Sequence, residues 1–409
     1  MIKNLSAIVI VTLFGFPCVG KYSDLFNGKG LSGWDGDPRL WKVENGAITG
    51  YVEEGTDIKN HSYLIWQEGK VRDFELSLKF RSDSGNSGID YRAKKIPKDK
   101  NGKDLKWTLE GYQADIVQDW MGSFYNWGLA GAQPGQFAII TTSPRDKDKQ
   151  LTTVYQLADP NSVSGANYYE PDQWNDYTII IRGEHMIHRI NGFQTIEVID
   201  LSSLKRTEGY LGLQVHKGKK RQVHKFKEIR LEQFDHRFGR PVLLLKSPKA
   251  NTLEMLDSVN VPFVGKIDLD LKVCTPIGSI VQTTEQFLDF ILRFQFCRDA
   301  GRLGVWLRMS GDRGIGVTGT EHHFDRIDHK GDFRFEDVDA DTGVNEKKSG
   351  FDPCWDDCEI SLIGGELTVK INGQLRTKAI NCDQVSGTIG FASNAKENLR
   401  NAVLIPILK

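Results

Sequence analysis

The sequence predicts an all-β chain made of two related sandwiches or jelly rolls in tandem. The first observation is a dominant hydropathy period of two. Short alternating runs are separated by Gly, Asn and Asp turns, with almost no long amphipathic helix. The second is a hairpin signature that occurs twice, Ile190-Asn191-Gly192-Phe193 and Ile371-Asn372-Gly373-Gln374, where Asn-Gly suits the positive φ angles of a tight turn. The third is a longer internal repeat. Asp73-Phe74-Glu75-Leu76-Ser77-Leu78-Lys79-Phe80 is echoed by Asp289-Phe290-Ile291-Leu292-Arg293-Phe294-Gln295-Phe296 at an offset of 216, which still holds at Gly88/Gly304 and Arg92/Arg308. Trp174, Asn191 and Gly192 then match Trp355, Asn372 and Gly373 at an offset of 181, and Gly209-Tyr210-Leu211-Gly212 matches Gly387-Thr388-Ile389-Gly390. The 35-residue difference between the first two offsets reads as extra chain in the first copy.

Residues 1–20 read as an export signal. Lys3 gives a charged start, Leu5 to Pro17 is apolar but too short to span a bilayer, and Cys18-Val19-Gly20 offers a small-residue cleavage site. A lipid-anchored Cys18 is the rival reading, and Pro17 fits it poorly. The expectation is a secreted or periplasmic protein with no integral membrane segment in the mature chain. Residues 21–236 form the first sandwich. Within them, Lys94 to Lys106 is a basic, turn-rich loop. Trp120 to Thr142, rich in aromatics and glycine, reads as a long loop that covers something. The boundary falls in the polar stretch from Asp235 to Pro241, and residues 241–409 form the second sandwich. Each part is long enough to bury its own core. Beyond Cys18, all cysteines lie in the second half, at 274, 297, 354, 358 and 382, and that odd count leaves at least one thiol unpaired or intermolecular. The net charge of −1 provides no field to attract nucleic acid, and no basic-aromatic surface of that kind is apparent.

Alternation assigns faces to the runs of the first copy. Phe74, Leu76, Leu78 and Phe80 point inward, leaving Glu75 on the other side. Ile89 and Tyr91 point inward, leaving Asp90 and Arg92. Tyr112, Ala114 and Ile116 point inward, leaving Gln113 and Asp115. Leu211, Leu213 and Val215 point inward, leaving Gln214 and His216. If these runs adjoin in one curved sheet, their outer face is a polar groove. Outward strand residues are ordinarily polar because they meet water, but the repeat separates two kinds. Arg92 persists as Arg308, whereas Gln214 becomes Ala392 and His216 becomes Asn394. The Gln113/Asp115 pair has no obvious counterpart. The polar groups special to the first copy are therefore the place to look for function. Such a groove suits a sugar, with Trp120, Tyr125 and Trp127 as candidates to stack on it. A His plus an Asp is also half of a divalent-metal site, and a His can serve as a base near neutral pH.

Five segments carry a family resemblance over roughly residues 24 to 234. They are Leu25-Phe26-Asn27-Gly28-Lys29-Gly30-Leu31-Ser32-Gly33-Trp34, Trp41-Lys42-Val43-Glu44-Asn45-Gly46-Ala47-Ile48-Thr49-Gly50, Asn86-Ser87-Gly88-Ile89-Asp90-Tyr91-Arg92, Gly111-Tyr112-Gln113-Ala114-Asp115-Ile116 and Gly209-Tyr210-Leu211-Gly212-Leu213-Gln214-Val215-His216. In this order they resemble the 3-keto-disaccharide hydrolase family, and the second copy resembles the fold more weakly. The resemblance implies tandem concanavalin A-like jelly rolls. It also implies a carbohydrate-active enzyme that cleaves 3-keto-glycosides by C2 proton abstraction, elimination at C1 and hydration. Carried onto this chain, it points to His216 and Asp115 as catalytic residues and as tentative ligands of one divalent metal ion. Arg92, Gln113, Gln214, Asp90, Glu75 and Tyr125 are then expected to bind substrate. An ordinary glycosidase using Asp90 and Asp115 as its two carboxylates, and a lectin-like binding module with no turnover, are the alternatives.

Overall fold

The structure is a computed structural model that describes residues 21–156, 168–246, 252–255, 281–297, 303–310, 313–320, 323–328, 334–336, 355–380, 382, 385–393 and 399–408. The export signal expected over residues 1–20 lies outside the described residues, as do Cys274 and Cys354. The described residues are almost entirely strand and turn, with one short 3-10 turn at Gln118–Trp120. Among them no helix is long and apolar enough to cross a membrane.

The first sandwich consists of a back sheet and a front sheet. The back sheet runs Gln150–Gln156, Gln136–Thr142, Phe193–Asp200, His185–Ile190, Asn175–Arg182, Phe74–Ser84, Gln222–Gln233, Ala47–Val52 and Trp41–Glu44, with Lys21–Asp24 paired onto Gln222–Gln233. The front sheet runs Ala130–Ala132, Phe124–Asn126, Leu109–Ile116, Ser87–Lys95, Tyr210–Val215, Ser62–Trp66 and Trp34–Asp35. Period-two alternation drives the packing. In Phe74–Ser84 the residues Phe74, Leu76, Leu78 and Phe80 are buried, and they meet Ile89, Tyr91, Tyr112, Ala114, Leu211 and Leu213 from the front sheet in one core. The segment from Trp120 to Thr142 is not a plain loop. It folds into Phe124–Asn126, Ala130–Ala132 and Gln136–Thr142, which extend both sheets, because its aromatics and branched residues find pleated neighbours to pack on.

The second copy repeats these strand orders, but its described strands form one continuous 14-stranded sheet, because Val242–Lys246 and Thr252–Met255 join its two halves. Gln374–Ile380, Glu366–Ile371, Trp355–Ile363, Phe290–Cys297 and Leu399–Leu408 follow the order of Phe193–Asp200, His185–Ile190, Asn175–Arg182, Phe74–Ser84 and Gln222–Gln233. Arg313–Thr320, Leu303–Ser310, Thr388–Ser393 and Val281–Thr283 follow Leu109–Ile116, Ser87–Lys95, Tyr210–Val215 and Ser62–Trp66. The polar residues retained in both copies are structural. Asn191 and Asn372 turn their hairpins at φ 50° and 51°, and each accepts from the N–H of an aspartate, Asp176 at 2.8 Å and Asp357 at 2.9 Å. Arg92 and Arg308 sit at φ 47° and 49° in matching bulges, where a non-glycine residue is strained. Gly209 and Gly387 lie against those bulges so closely that a Cβ would come within 2.3 Å and 2.2 Å of the arginine carbonyl carbons.

The two back sheets pack against each other. Phe137, Ile139 and Ile199 of the first meet Leu243, Ile291, Val403 and Ile405 of the second. Beside this apolar seam, Arg182 donates to Glu359 at 2.9 and 3.0 Å, and Arg293 donates to Glu359 at 2.9 Å and to Gln194 at 2.7 Å. His185 and Glu197 close the network at 2.6 Å. The contacts come from the outward faces of both back sheets, so the molecule is a four-layer stack with the front sheets outermost. Cys358 is a buried free thiol, and Cys382 is buried as well.

Candidate functional site

The outer face of the first front sheet is polar yet largely buried. Ser87–Lys95 has seven consecutive buried residues, so its outward side chains are covered rather than solvated. Register builds the floor. Asp90 pairs across with Gln113 on one side and Gly212 on the other, and Gly212 pairs with Ile65. One row along, Asp115 pairs with Gly88, and Gln214 pairs with Tyr63. Gly88 has to be glycine here, since a Cβ would lie 2.7 Å from the Gln113 amide that folds over it.

Hydrogen bonds tie this floor together. Gln113 Nε2 donates to Asp90 Oδ2 at 2.9 Å, Gln214 Nε2 donates to the Tyr63 hydroxyl at 2.9 Å, and Ser123 Oγ donates to Asp115 Oδ2 at 2.7 Å. His216 Nδ1 donates to the Lys217 carbonyl at 2.6 Å, which leaves Nε2 as the acceptor of the neutral ring. The His216 ring stands edge-on to His61 at 4.4 Å, and His61 in turn meets Trp127 at 5.2 Å. Two buried acceptors on this face, Asp90 Oδ1 and Gln214 Oε1, make no full hydrogen bond to protein, and the Trp127 indole N–H is directed at Asp90 and Tyr63 without closing one either. Buried polar atoms are normally satisfied, so these are places for a ligand or water to bind.

Burial sets the charge states. It pushes the Asp90 carboxyl well above the usual carboxylate range, and the Asp115 charge adds to this against the opposing Gln113 hydrogen bond. Burial thus favours the protonated form of Asp90 over the carboxylate. Asp115 is raised by burial to about 6, with Ser123 acting the other way. Burial also holds His61 down to about 3 and lowers His216, so both rings are neutral. The Tyr63 hydroxyl is pushed well up by burial and by Asp90. The face thus carries acceptors and donors with little net charge.

Of the residues singled out from the sequence, Asp90, Gln113, Asp115, Gln214 and His216 share this face. Tyr125 joins them at the rim, paired with Gln113 and 40% exposed. Two do not. Glu75 is on the back sheet, because Phe74–Ser84 pairs with Asn175–Arg182 and Gln222–Gln233 and not with the front strands, and it lies near Arg189 and Glu232. Arg92 leaves the face because its bulge breaks the alternation. Its side chain, 3% exposed, donates to the carbonyls of Arg72, Gly183 and Arg206 and to Asp73, beside a separate cavity of about 340 Å³ at the end of the sandwich. The sequence reading missed His61 and Tyr63. Ser62–Trp66 is buried at all five positions and offers no alternation from which to assign a face.

The residues present do not fit the expected divalent cation. Asp115 and His216 project from strands two places apart, roughly 9–10 Å at ordinary strand spacing. Among the described residues no three His, Cys, Asp or Glu side chains form a group able to hold a metal ion.

In the second copy the corresponding register pairs Gly304 with Thr318 and Trp306 with Gly316. Trp306, Gly316 and Thr318 thus stand where the first copy has Asp90, Gln113 and Asp115.

Residues 21–232 match the 3-keto-alpha-glucoside-1,2-lyase-like domain, slightly more than half of the chain. No curated protein matches. Similar solved structures include a provisionally assigned glycosyl hydrolase of Parabacteroides distasonis, 18% identical, covering 53% of this chain and 94% of its own, at a TM-score of 0.33. The CBM66 carbohydrate-binding module of Bacillus subtilis is 15% identical, with 49% and 96% covered and a TM-score of 0.30. The laminarinase catalytic domain of Thermotoga maritima is 9% identical, with 53% and 97% covered and a TM-score of 0.32.

Proposed function

The chain belongs to the family of 3-keto-alpha-glucoside-1,2-lyase-like domains and is a carbohydrate-active protein; from that premise we propose that the polar front face cleaves 3-keto-glycosides by elimination and hydration. The observation that carries this reading is one buried floor that brings the Asp115 carboxylate together with the Asp90 carboxyl, the Tyr63 hydroxyl and the Trp127 indole N–H.

In a 3-keto-glycoside the ketone acidifies the C2 proton. Asp115, raised to about 6, is mostly ionised at pH 7 yet basic enough to accept that proton. The negative charge then develops on the C3 oxygen. The Asp90 carboxyl, whose protonated form burial favours, the Tyr63 hydroxyl and the Trp127 indole N–H converge on this region, and Tyr63 lies close enough to both others to feel them. Fixed donors in a water-poor site stabilise an enolate without reorganising. The enolate expels the C1 substituent, whose oxygen takes a proton from water, and a 2-hydroxy-3-keto-glucal results. Water then adds across that alkene: its oxygen bonds C1 as His216 Nε2 accepts its proton, protonated Asp115 returns a proton to C2, and the His216 proton neutralises the hydroxide left when the departing alkoxide was protonated, which completes net hydrolysis and restores both residues. Gln113 is held by Asp90 and orients it, while Gln214 Oε1 is left to receive a sugar hydroxyl. This assignment gives the first proton to Asp115 and the water to His216, and routes no step through a metal.

The test is incubation of the purified protein with 3-keto-trehalose in D2O. A glucal, free 3-keto-glucose and deuterium at C2 are expected. Saturable sugar binding with none of these would favour the lectin-like alternative.

A further inference from the structure

A second cavity, of about 580 Å³, lies beside the floor and shares one wall with it. His61 lines it, together with Ser62, Tyr51, Trp107 and the turns around Thr56 and Lys103. The same His61 stands 4.4 Å ring to ring from His216 and 3.5 Å from the Gln214 amide on the floor. The volume falls in the range of small-ligand sites, roughly 300–1,000 Å³.

We propose that this cavity receives the leaving group: an uncharged, hydroxyl-rich aglycone of mono- or disaccharide size. The proposal rests on the elimination reading above, because it places the C1 substituent past His61.

The lining gives the ligand class. Its charged residues largely neutralise one another: Arg39 with Asp37 at 2.5 Å, and Lys59 with Asp57. Lys106 lies over the Trp107 ring at 4.6 Å. No concentrated field of one sign is left to select a phosphorylated or carboxylated ligand. What remains is the hydrogen-bonding and aromatic surface that sugars use. Ser62 Oγ is buried with no partner. Trp107 is half-buried, with its ring fixed by an indole hydrogen bond to Asp35 at 3.0 Å. The wall carrying it is also rigid: the Trp107 carbonyl accepts from the Tyr63 N–H at 2.8 Å, and the Thr108 hydroxyl donates to the His61 carbonyl at 3.2 Å. The cavity wall and the floor strand Ser62–Trp66 are thereby one unit.

Thr56 and Lys103 are exposed positions on this rim, outside the floor. Thr56→Trp and Lys103→Trp fill the cavity without touching Asp90, Asp115 or His216. Binding of free trehalose and glucose, read by tryptophan fluorescence and calorimetry on the full chain, is expected to be saturable. It should weaken about tenfold or more in either variant, the scale of a lost pocket contact, with glucose 6-phosphate binding no better than glucose. In turnover, both variants should raise KM for 3-keto-trehalose while leaving methyl 3-keto-glucoside unaffected. Equal effects on both substrates, or no saturable sugar binding by a protein that turns over 3-keto-trehalose, overturn the proposal and leave the elimination reading standing. Sugar binding that the variants abolish in a protein without turnover would overturn the elimination reading and the leaving-group role with it, leaving a cavity that binds sugar.

Discussion

Arg92→Ala separates a substrate ligand from a structural clamp. The guanidinium makes four hydrogen bonds of 2.7 to 3.1 Å, three to carbonyls and one to Asp73, and is 3% exposed. Its removal strands three carbonyls and leaves Asp73 in a buried site with only the Gly183 N–H and the edge of Arg72. Breaking one side of a buried ion pair costs about 3–5 kcal/mol. For a unit of about 200 residues each kcal/mol is worth about 2–4 °C, so a loss of about 6–20 °C in Tm is expected. Arg308→Ala is the matched control, since Arg308 donates to the Leu288 and Gly364 carbonyls and to Asp289 in the second copy. Paired thermal and urea unfolding of the two variants should show similar losses. An Arg92→Ala protein with an unchanged midpoint and abolished turnover would refute the clamp and return Arg92 to the substrate.

Asp115→Asn should lower kcat/KM by about 10²- to 10⁴-fold, the usual contribution of a general base. The wild-type profile should rise with pH through about 6 as Asp115 ionises, and that limb should vanish in the variant. Stability should move the other way. A carboxyl whose pKa is raised on folding stabilises the protein most below its unfolded value near 3.8, and that contribution is lost as pH rises through about 6. Asp115→Asn should therefore be more stable than wild type at pH 8, by up to about 3 kcal/mol, with little advantage at pH 3; urea midpoints at the two pH values check it. Glu359→Ala leaves Arg182 and Arg293 buried without their shared carboxylate and should cost about 3–5 kcal/mol, read as an earlier or split unfolding transition.

Period two and the Asn-Gly hairpins were enough to reveal a tandem all-β chain, because alternation records which face of a strand is buried. The same rule placed Asp90, Gln113, Asp115, Gln214 and His216 on a common side. It failed where its premise failed. A bulge at Arg92 shifts the phase by one residue, and bulges leave little trace in a single sequence. Strand pairing is nonlocal, so nothing in the run around Glu75 announced that it joins the back sheet. Tyr63 opens the run Tyr63-Leu64-Ile65-Trp66, whose unbroken apolar character gives no alternation to assign its face. Comparison of the two copies helped, but in one direction only. Retained Arg92 and Asn191 mark architecture, while replaced Gln214 and His216 fall on the candidate face.

The back-to-back stacking has a further implication for valency. The outermost faces of the two sandwiches look away from each other, so one straight glycan cannot lie across both at once. Avidity for a straight polymer would therefore call for more than one molecule of the protein.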